Sequence, residues 1–342
     1  MIYNYFKVMK CAKSLFINSL IFSALFSLSF NPSKAAELKI YSERQPLLIE
    51  PLLEKFEDQS GIKVEWIYSQ KGLVQKAILE KKRPVADLYL SSDISRLIDV
   101  AEAGASVSFV QSLDIPEKFQ SKDWVGLTQR ARVFYVNESL ANQQLNYEDL
   151  ISDQFKGRIC TRSGFHPYNI SLFASLLVHH GEEWLENFLT VLKSNLARKP
   201  QGNDRDQVKA IYAGVCDISI GNHYYYFQMM ENEDQKIWLE KAKIVFPNQT
   251  NRGAHVNISG VALLKEETKE LANKLVSFLL SEESQSVYAN DNNEFPVLET
   301  VQPSPKVQSI AQDVIFDDLS LSSIAKNRAS VIQILNRINF DG

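Results

Sequence analysis

The chain is poor in the residues that mark most enzymes. It has 3 cysteines and 5 histidines in 342 residues. No His-Glu-x-x-His, no Gly-x-Ser-x-Gly and no Cys/His zinc spacing occurs. Its 13 glycines are scattered, which excludes a glycine-rich phosphate loop. Glycine and serine form no flexible linker, and no repeat or low-complexity segment is present. Basic excess is missing too. There are 37 Lys and Arg against 41 Asp and Glu, so the surface is not built for nucleic acid. Long apolar runs are scarce, and the only candidate lies between Leu15 and Phe30.

That run is studded with serine and is shorter than the roughly 20 apolar residues that usually span a bilayer. Lys7, Lys10 and Lys13 precede it. After it, Ser33 and Ala35 occupy the −3 and −1 places of a small-residue cleavage site. Residues 1–35 therefore read as a secretory signal peptide, with the mature chain starting at Ala36. Cys11 precedes the apolar run, too early for a lipid-attachment cysteine. Removing the signal segment's four lysines, with no acidic residue, takes the net charge from −4 to −8.

Cys160 and Cys216 remain in the mature chain. Both flank strand-like runs, and an exported chain meets oxidising conditions. A disulfide is feasible if the strands are neighbours; two small buried thiols are the alternative, and both readings stay open. A catalytic cysteine lacks an orienting partner.

What is present alternates. Strand patterns at 38–41, 62–68 and 84–90 separate helical patterns at 47–60, 73–82 and 94–103, with Gly61 as a stop and Ser91-Ser92-Asp93 as a cap. Further strands are expected at 130–136, 158–161, 217–220, 244–246 and 257–264. Helices are expected at 171–180, 182–192, 206–213, 225–232, 269–280, 284–290 and 322–337. This βαβ alternation implies an α/β fold whose sheets are mixed and mostly parallel, flanked by helices. The length suggests two domains. With no linker, crossing strands at 130–136 and 257–264 would join two lobes and serve as a hinge. The expected boundaries are 36–133 with 260–310 for lobe 1, and 134–259 with 311–342 for lobe 2.

Tyrosine carries the chemistry. Gly221-Asn-His-Tyr224-Tyr225-Tyr226 follows a strand at its carboxyl end, where ligands bind in open α/β sheets. Tyr168 follows the strand at 158–161 in the same way. Spacing alone equally allows half-buried tyrosines at loop–helix junctions. Tyr226 reads as packing on the following helix, and Tyr135 as a wall residue of the crossing strand. His166 and His223 read as surface residues, and Arg132 as a solvated or salt-bridged one. Glu43, Asp87 and Asp93 are weaker ligand candidates.

Several motifs in order carry a resemblance. They include Tyr41-Ser-Glu-Arg-Gln-Pro46, Thr128-Gln-Arg-Ala-Arg-Val133, Tyr168-Asn-Ile-Ser-Leu172, Ala197-Arg-Lys-Pro-Gln-Gly-Asn203, Gly221-Asn-His-Tyr-Tyr225 and His255-Val-Asn-Ile-Ser-Gly-Val261. In these the chain resembles the periplasmic ferric-ion-binding proteins of bacterial ABC transporters, over nearly the whole mature length. The resemblance implies a type II, two-lobe periplasmic binding fold with a hinge. It implies metal ligation by Tyr168, Tyr224 and Tyr225. Many relatives carry His or His-Tyr where this chain has Gln45-Pro46, and proline supplies no ligand. The chain is therefore similar to the Arg-Gln-Pro branch, which binds Fe3+ with three tyrosines and a synergistic anion, typically carbonate or bicarbonate.

The resemblance places that anion on Arg130, supported by Arg44. It also implies delivery to an inner-membrane permease and its ATPase, by a monomeric periplasmic protein that is not an enzyme. A receptor for an oxyanion or a small organic cation is the rival within binding proteins. A secreted enzyme using Cys160 or a histidine is the rival from another class.

Overall fold

In the computed structural model, residues 36–109 and 113–342 are described; the expected signal peptide lies outside them. The strands are β1 (Glu37–Ser42), β2 (Lys63–Tyr68), β3 (Leu88–Ser91), β4 (Val125–Asn137), β5 (Ile159–Cys160), β6 (Ile218–Asn222), β7 (Ala242–Val245), β8 (Val256–Leu263) and β9 (Phe295–Pro296). The helices of the first part are α1 (Pro46–Ser60), α2 (Leu73–Leu79) and α3 (Ile94–Glu102). Those of the middle are α4 (Pro167–His180), α5 (Glu182–Ser194), α6 (Asp204–Tyr212) and α7 (His223–Glu231). The last five are α8 (Lys269–Leu279), α9 (Glu282–Asn290), α10 (Pro305–Ala311), α11 (Leu321–Lys326) and α12 (Arg328–Arg337).

The strands run in the order β2-β1-β3-β8-β4-β6-β5, with β7 and β9 also paired to β4. The parallel pairings are β1 with β2, β1 with β3, and β5 with β6. These are the products of βαβ units, as the alternation predicts. Every antiparallel pairing among the described residues involves β4 or β8. These are the two strands expected to cross, so the sheet is mixed because of them. β4 pairs β8 from Val125 to Ala131, then turns to β6 from Arg132 onward. One strand thus serves two parts of the sheet.

Local chemistry explains the elements. In α1 the residues Leu48, Ile49, Leu52, Leu53 and Phe56 are buried on one face, Pro46 sits at the first turn, and Gly61 ends the helix at φ 70°. α3 begins at Asp93, whose carboxylate accepts from the Ser95 N–H at 2.9 Å. The expected helix at 322–337 is broken at Asn327, where α11 ends and α12 begins. The two-residue strand β9 and helix α10 were not expected; both are too short to show a period.

Cys160 and Cys216 form a disulfide, with Cα atoms 5.8 Å apart. It ties the end of β5 to the segment entering β6, its parallel neighbour.

Candidate metal and anion cleft

The amino ends of α1, α3, α4, α6 and α7 converge on one cleft of about 400 Å3. Gln45, Ser92, Tyr168, Asn203, Arg205, Tyr224 and Tyr225 line it from those helix starts. Each helix start presents the positive end of a dipole, which suits bound anions and phenolates.

The tyrosines stand in the first turns of α4 and α7; Tyr225 and Tyr226 fall in the helix expected at 225–232, whereas Tyr168 and Tyr224 lie before the expected helix starts and are helical too. β6 passes into α7 at Asn222 without an intervening turn residue, so Tyr224, Tyr225 and Tyr226 are all helical. Pro167 starts α4 in the same manner. The rings of Tyr224 and Tyr225 lie 4.2 Å apart. Burial pushes the Tyr224 hydroxyl well above the ordinary tyrosine range, and the neighbouring Tyr168 and Tyr225 phenols push it further. Burial likewise raises Tyr225, with Tyr168 and Asp204 adding to it. Tyr226 instead stacks on Tyr135, at 6.5 Å between rings.

The arginines divide into paired and unpaired. Arg44 is buried and forms a doubly hydrogen-bonded ion pair with Glu294, while its Nη1 also donates to Ser259. Its charge is therefore already met by a carboxylate. Arg130 is 2% exposed, and its donors reach only neutral oxygens: Ser259 Oγ at 2.6 Å and the carbonyls of Ile258 and Ser92. Its Nε has no partner among the described residues. Arg130 is thus a buried cation with no carboxylate partner among the described residues, and it lines the cleft. Arg162 pairs with Asp204 at 2.9 Å and Arg96 with Glu43.

Guanidinium groups surround the tyrosine rings. Arg130, Arg162 and Arg132 lie 5.3, 5.5 and 5.8 Å from the Tyr168 ring centre. Arg205 lies 4.9 Å from that of Tyr225. Gln45 reaches the Tyr225 hydroxyl at 3.5 Å, so the Arg-Gln-Pro corner faces the paired tyrosines.

Other expectations need correction. His223 is fully buried, not at the surface: its Nδ1 accepts the Ala131 N–H at 3.2 Å and its ring stacks on Phe295. His166 is half-buried and caps α4, accepting the Tyr168 N–H at 3.3 Å. Arg132 is salt-bridged but not solvated, being 2% exposed beside Asp204. Asp87 bonds the Lys39 N–H and Thr268, and Asp93 bonds Asn257. Neither lines the cleft. Among the described residues no group of three His, Cys, Asp or Glu side chains could hold a metal; the cleft carries the three tyrosines, with Glu43 and Glu294 each paired to an arginine.

A paired sheet crossed by two shared strands, with a polar cleft at the carboxyl ends of β5 and β6, defines a solute-binding protein. The sequence model described as "Bacterial extracellular solute-binding protein" matches residues 105–316, and the chain belongs to that family, which binds solutes for transport and is not enzymatic. The chain is 36% identical to iron uptake protein A1 of Synechocystis sp. over 320 residues, covering 89% of this chain and 88% of the relative. Among solved structures it is similar to the apo ferric ion-binding protein A of Pasteurella haemolytica: 42% identity, TM-score 0.85, 90% of this chain and 99% of that one. A Trichodesmium protein in complex with iron and citrate ligands matches at 32% identity and TM-score 0.82, covering 89% of this chain and all of that one. The fold is the two-lobe, type II periplasmic binding fold.

Proposed function

We propose that the protein is the periplasmic receptor of a ferric iron importer. It binds Fe3+ between lobes hinged at β4 and β8, through Tyr168, Tyr224 and Tyr225 with a carbonate or bicarbonate on Arg130, and delivers the ion to an inner-membrane permease and its ATPase. The observation that carries the reading is three tyrosines gathered at helix amino ends beside a buried arginine that has no carboxylate partner among the described residues. The names of the relatives support the choice of iron.

Ferric ion is a hard cation that prefers anionic oxygen. Three phenolates cancel its charge and fill half of an octahedron. Proline at position 46 supplies no donor, so an exogenous oxygen ligand is needed to complete the shell. A bidentate carbonate would supply two donors, and the planar guanidinium of Arg130 suits such an anion. The two raised phenols are protonated in the free protein at neutral pH, so metal binding displaces their protons. Affinity must therefore fall as pH falls.

The test is an absorbance spectrum of the purified mature protein with ferric citrate, with and without bicarbonate. A visible tyrosinate-to-iron band is expected, lost in Tyr225→Phe and weakened by bicarbonate removal or by Arg130→Ala. No band in the wild type, with phosphate or sulfate bound instead, would assign the cleft to an oxyanion.

A further inference from the structure

We propose that Arg132, with Tyr135, is the positioning hub that sets the separation between Tyr168 and the Tyr224–Tyr225 pair. The inference rests on the ligand reading above but concerns residues that touch neither metal nor anion.

Arg132 lies on β4 at the residue where that strand leaves β8 and joins β6. Its backbone is fixed there from two sides, the N–H donating to the His255 carbonyl at 2.9 Å and the carbonyl accepting from the Tyr147 hydroxyl at 2.6 Å. The side chain then reaches both ligand-bearing helix starts. Nη2 donates to Asn169 Oδ1 at 2.7 Å, one residue after Tyr168. Nη1 donates to Asn222 Oδ1 at 2.9 Å, two residues before Tyr224. A single rigid guanidinium thus spans the starts of α4 and α7, and its planar fork fixes the distance between them.

Each arm is held in turn. The Asn169 amide donates to Thr161 Oγ1 and to the carbonyls of Arg162 and Ser163, anchoring α4 to the end of β5. The Asn222 N–H donates to Asp204 Oδ2 at 2.9 Å, the same oxygen that pairs with Arg132. The Asn222 carbonyl accepts from the Tyr135 hydroxyl at 2.5 Å. Tyr135 needs room to do this, and Gly221 supplies it: a Cβ at 221 would stand 2.0 Å from the Tyr135 ring. Two side chains of the crossing strand therefore hold the residue from which α7 begins. Any shift of β4 at the crossing moves Tyr168 and Tyr224 together.

Two variants test this. Arg132→Lys keeps the charge opposite Asp204 but not the fork, and Tyr135→Phe keeps the ring but not the bond to Asn222. Iron release to a competing chelator is measured alongside the position and intensity of the visible band and the thermal midpoint of the iron-free protein. Leu189→Ala, in the core of α5, serves as a control for lost stability alone. Tyr135→Phe is expected to speed release about two- to tenfold, the range of one hydrogen bond. Arg132→Lys should exceed that and shift the band. Leu189→Ala should lower the midpoint and leave the band unchanged. The double variant should fall short of the product of the singles, because both act through Asn222.

A normal band and release rate in folded Arg132→Lys, or in Tyr135→Phe where the lysine variant does not fold, overturns the inference and leaves the ligand reading intact. A wild-type protein with no band overturns both.

Discussion

Asp204→Asn tests the electrostatic frame behind the cleft. Asp204 is fully buried at the first residue of α6, with Arg132 and Arg162 each at 2.9 Å and the Asn222 N–H on one carboxylate oxygen. Burial pushes its carboxyl up. The two guanidiniums and the backbone donor outweigh burial and bring it from 3.8 to about 2. That depression corresponds to about 2 kcal/mol of folding stability at neutral pH. Asparagine loses it and also leaves the buried Arg132 and the partly buried Arg162 without a counter-charge, and breaking a buried pair typically costs about 3–5 kcal/mol. Urea unfolding at pH 7 should show a loss in that larger range. The carboxylate's contribution is complete above its unfolded value near 3.8 and lost as pH falls through about 2, so the wild-type and variant curves should converge only in strong acid. A loss under about 1 kcal/mol at pH 7 would refute the reasoning. So would a loss that stays constant down to pH 2.

Two further outcomes are expected. Burial drives His166, His223 and His255 down to about 3, so each is neutral in the fold and contributes stability that is complete above about pH 6.5 and lost as pH falls. The urea midpoint of the iron-free protein should drop between pH 6.5 and 4.5, and His255→Gln should flatten the drop; an unchanged pH profile in that variant would remove His255 from the account. Arg205 stands over the Tyr225 ring and has no carboxylate partner among the described residues. It should stabilise the electron-rich ring of a metal-bound phenolate, so Arg205→Gln should move the visible band to longer wavelength and weaken iron binding several-fold, measured by chelator competition. A band at the wild-type position would refute this.

Much of the fold was legible because it is written in periods. β1, α1, β2 and α3 fall within a few residues of their expected places, since apolar spacing, Gly61 and the Asp93 cap all point the same way. The crossing strands were legible from two alternating halves with no flexible linker between them, although β4 is longer than the expected run at 130–136. The helical setting of Tyr168 and Tyr224 was not, because the expected helices began at 171 and 225, and no turn residue separates Asn222 from His223 to mark the earlier start. For Arg132 the salt-bridged reading holds, but its burial was not legible. A charged residue on a strand ordinarily faces water, and only the fold brings Asp204, Asn169 and Asn222 around it from sequence distances of 72, 37 and 90. A weak signal existed: Asn169 and Asn222 each lie within two residues of a motif tyrosine.

The charges of the cleft bear on why an anion would accompany the metal. Arg44 is matched by Glu294, Arg96 by Glu43, and Arg132 and Arg162 share Asp204. Arg130 and Arg205 have no carboxylate partner among the described residues, and Lys71 at the rim is exposed to water. With the proposed ligands, Fe3+ and three phenolates form a neutral unit that leaves those guanidiniums unbalanced. A dianion would serve two needs at once, completing the metal's shell and answering the cationic excess in a site where screening by water is weak. The need for an anion would then persist even with a metal that accepts lower coordination. Gallium, trivalent and colourless, gives the comparison: its binding should also weaken when bicarbonate is removed, and Arg130→Ala should abolish most of that dependence. Bicarbonate-independent gallium binding would mean that coordination alone, and not the charge of the cleft, recruits the anion.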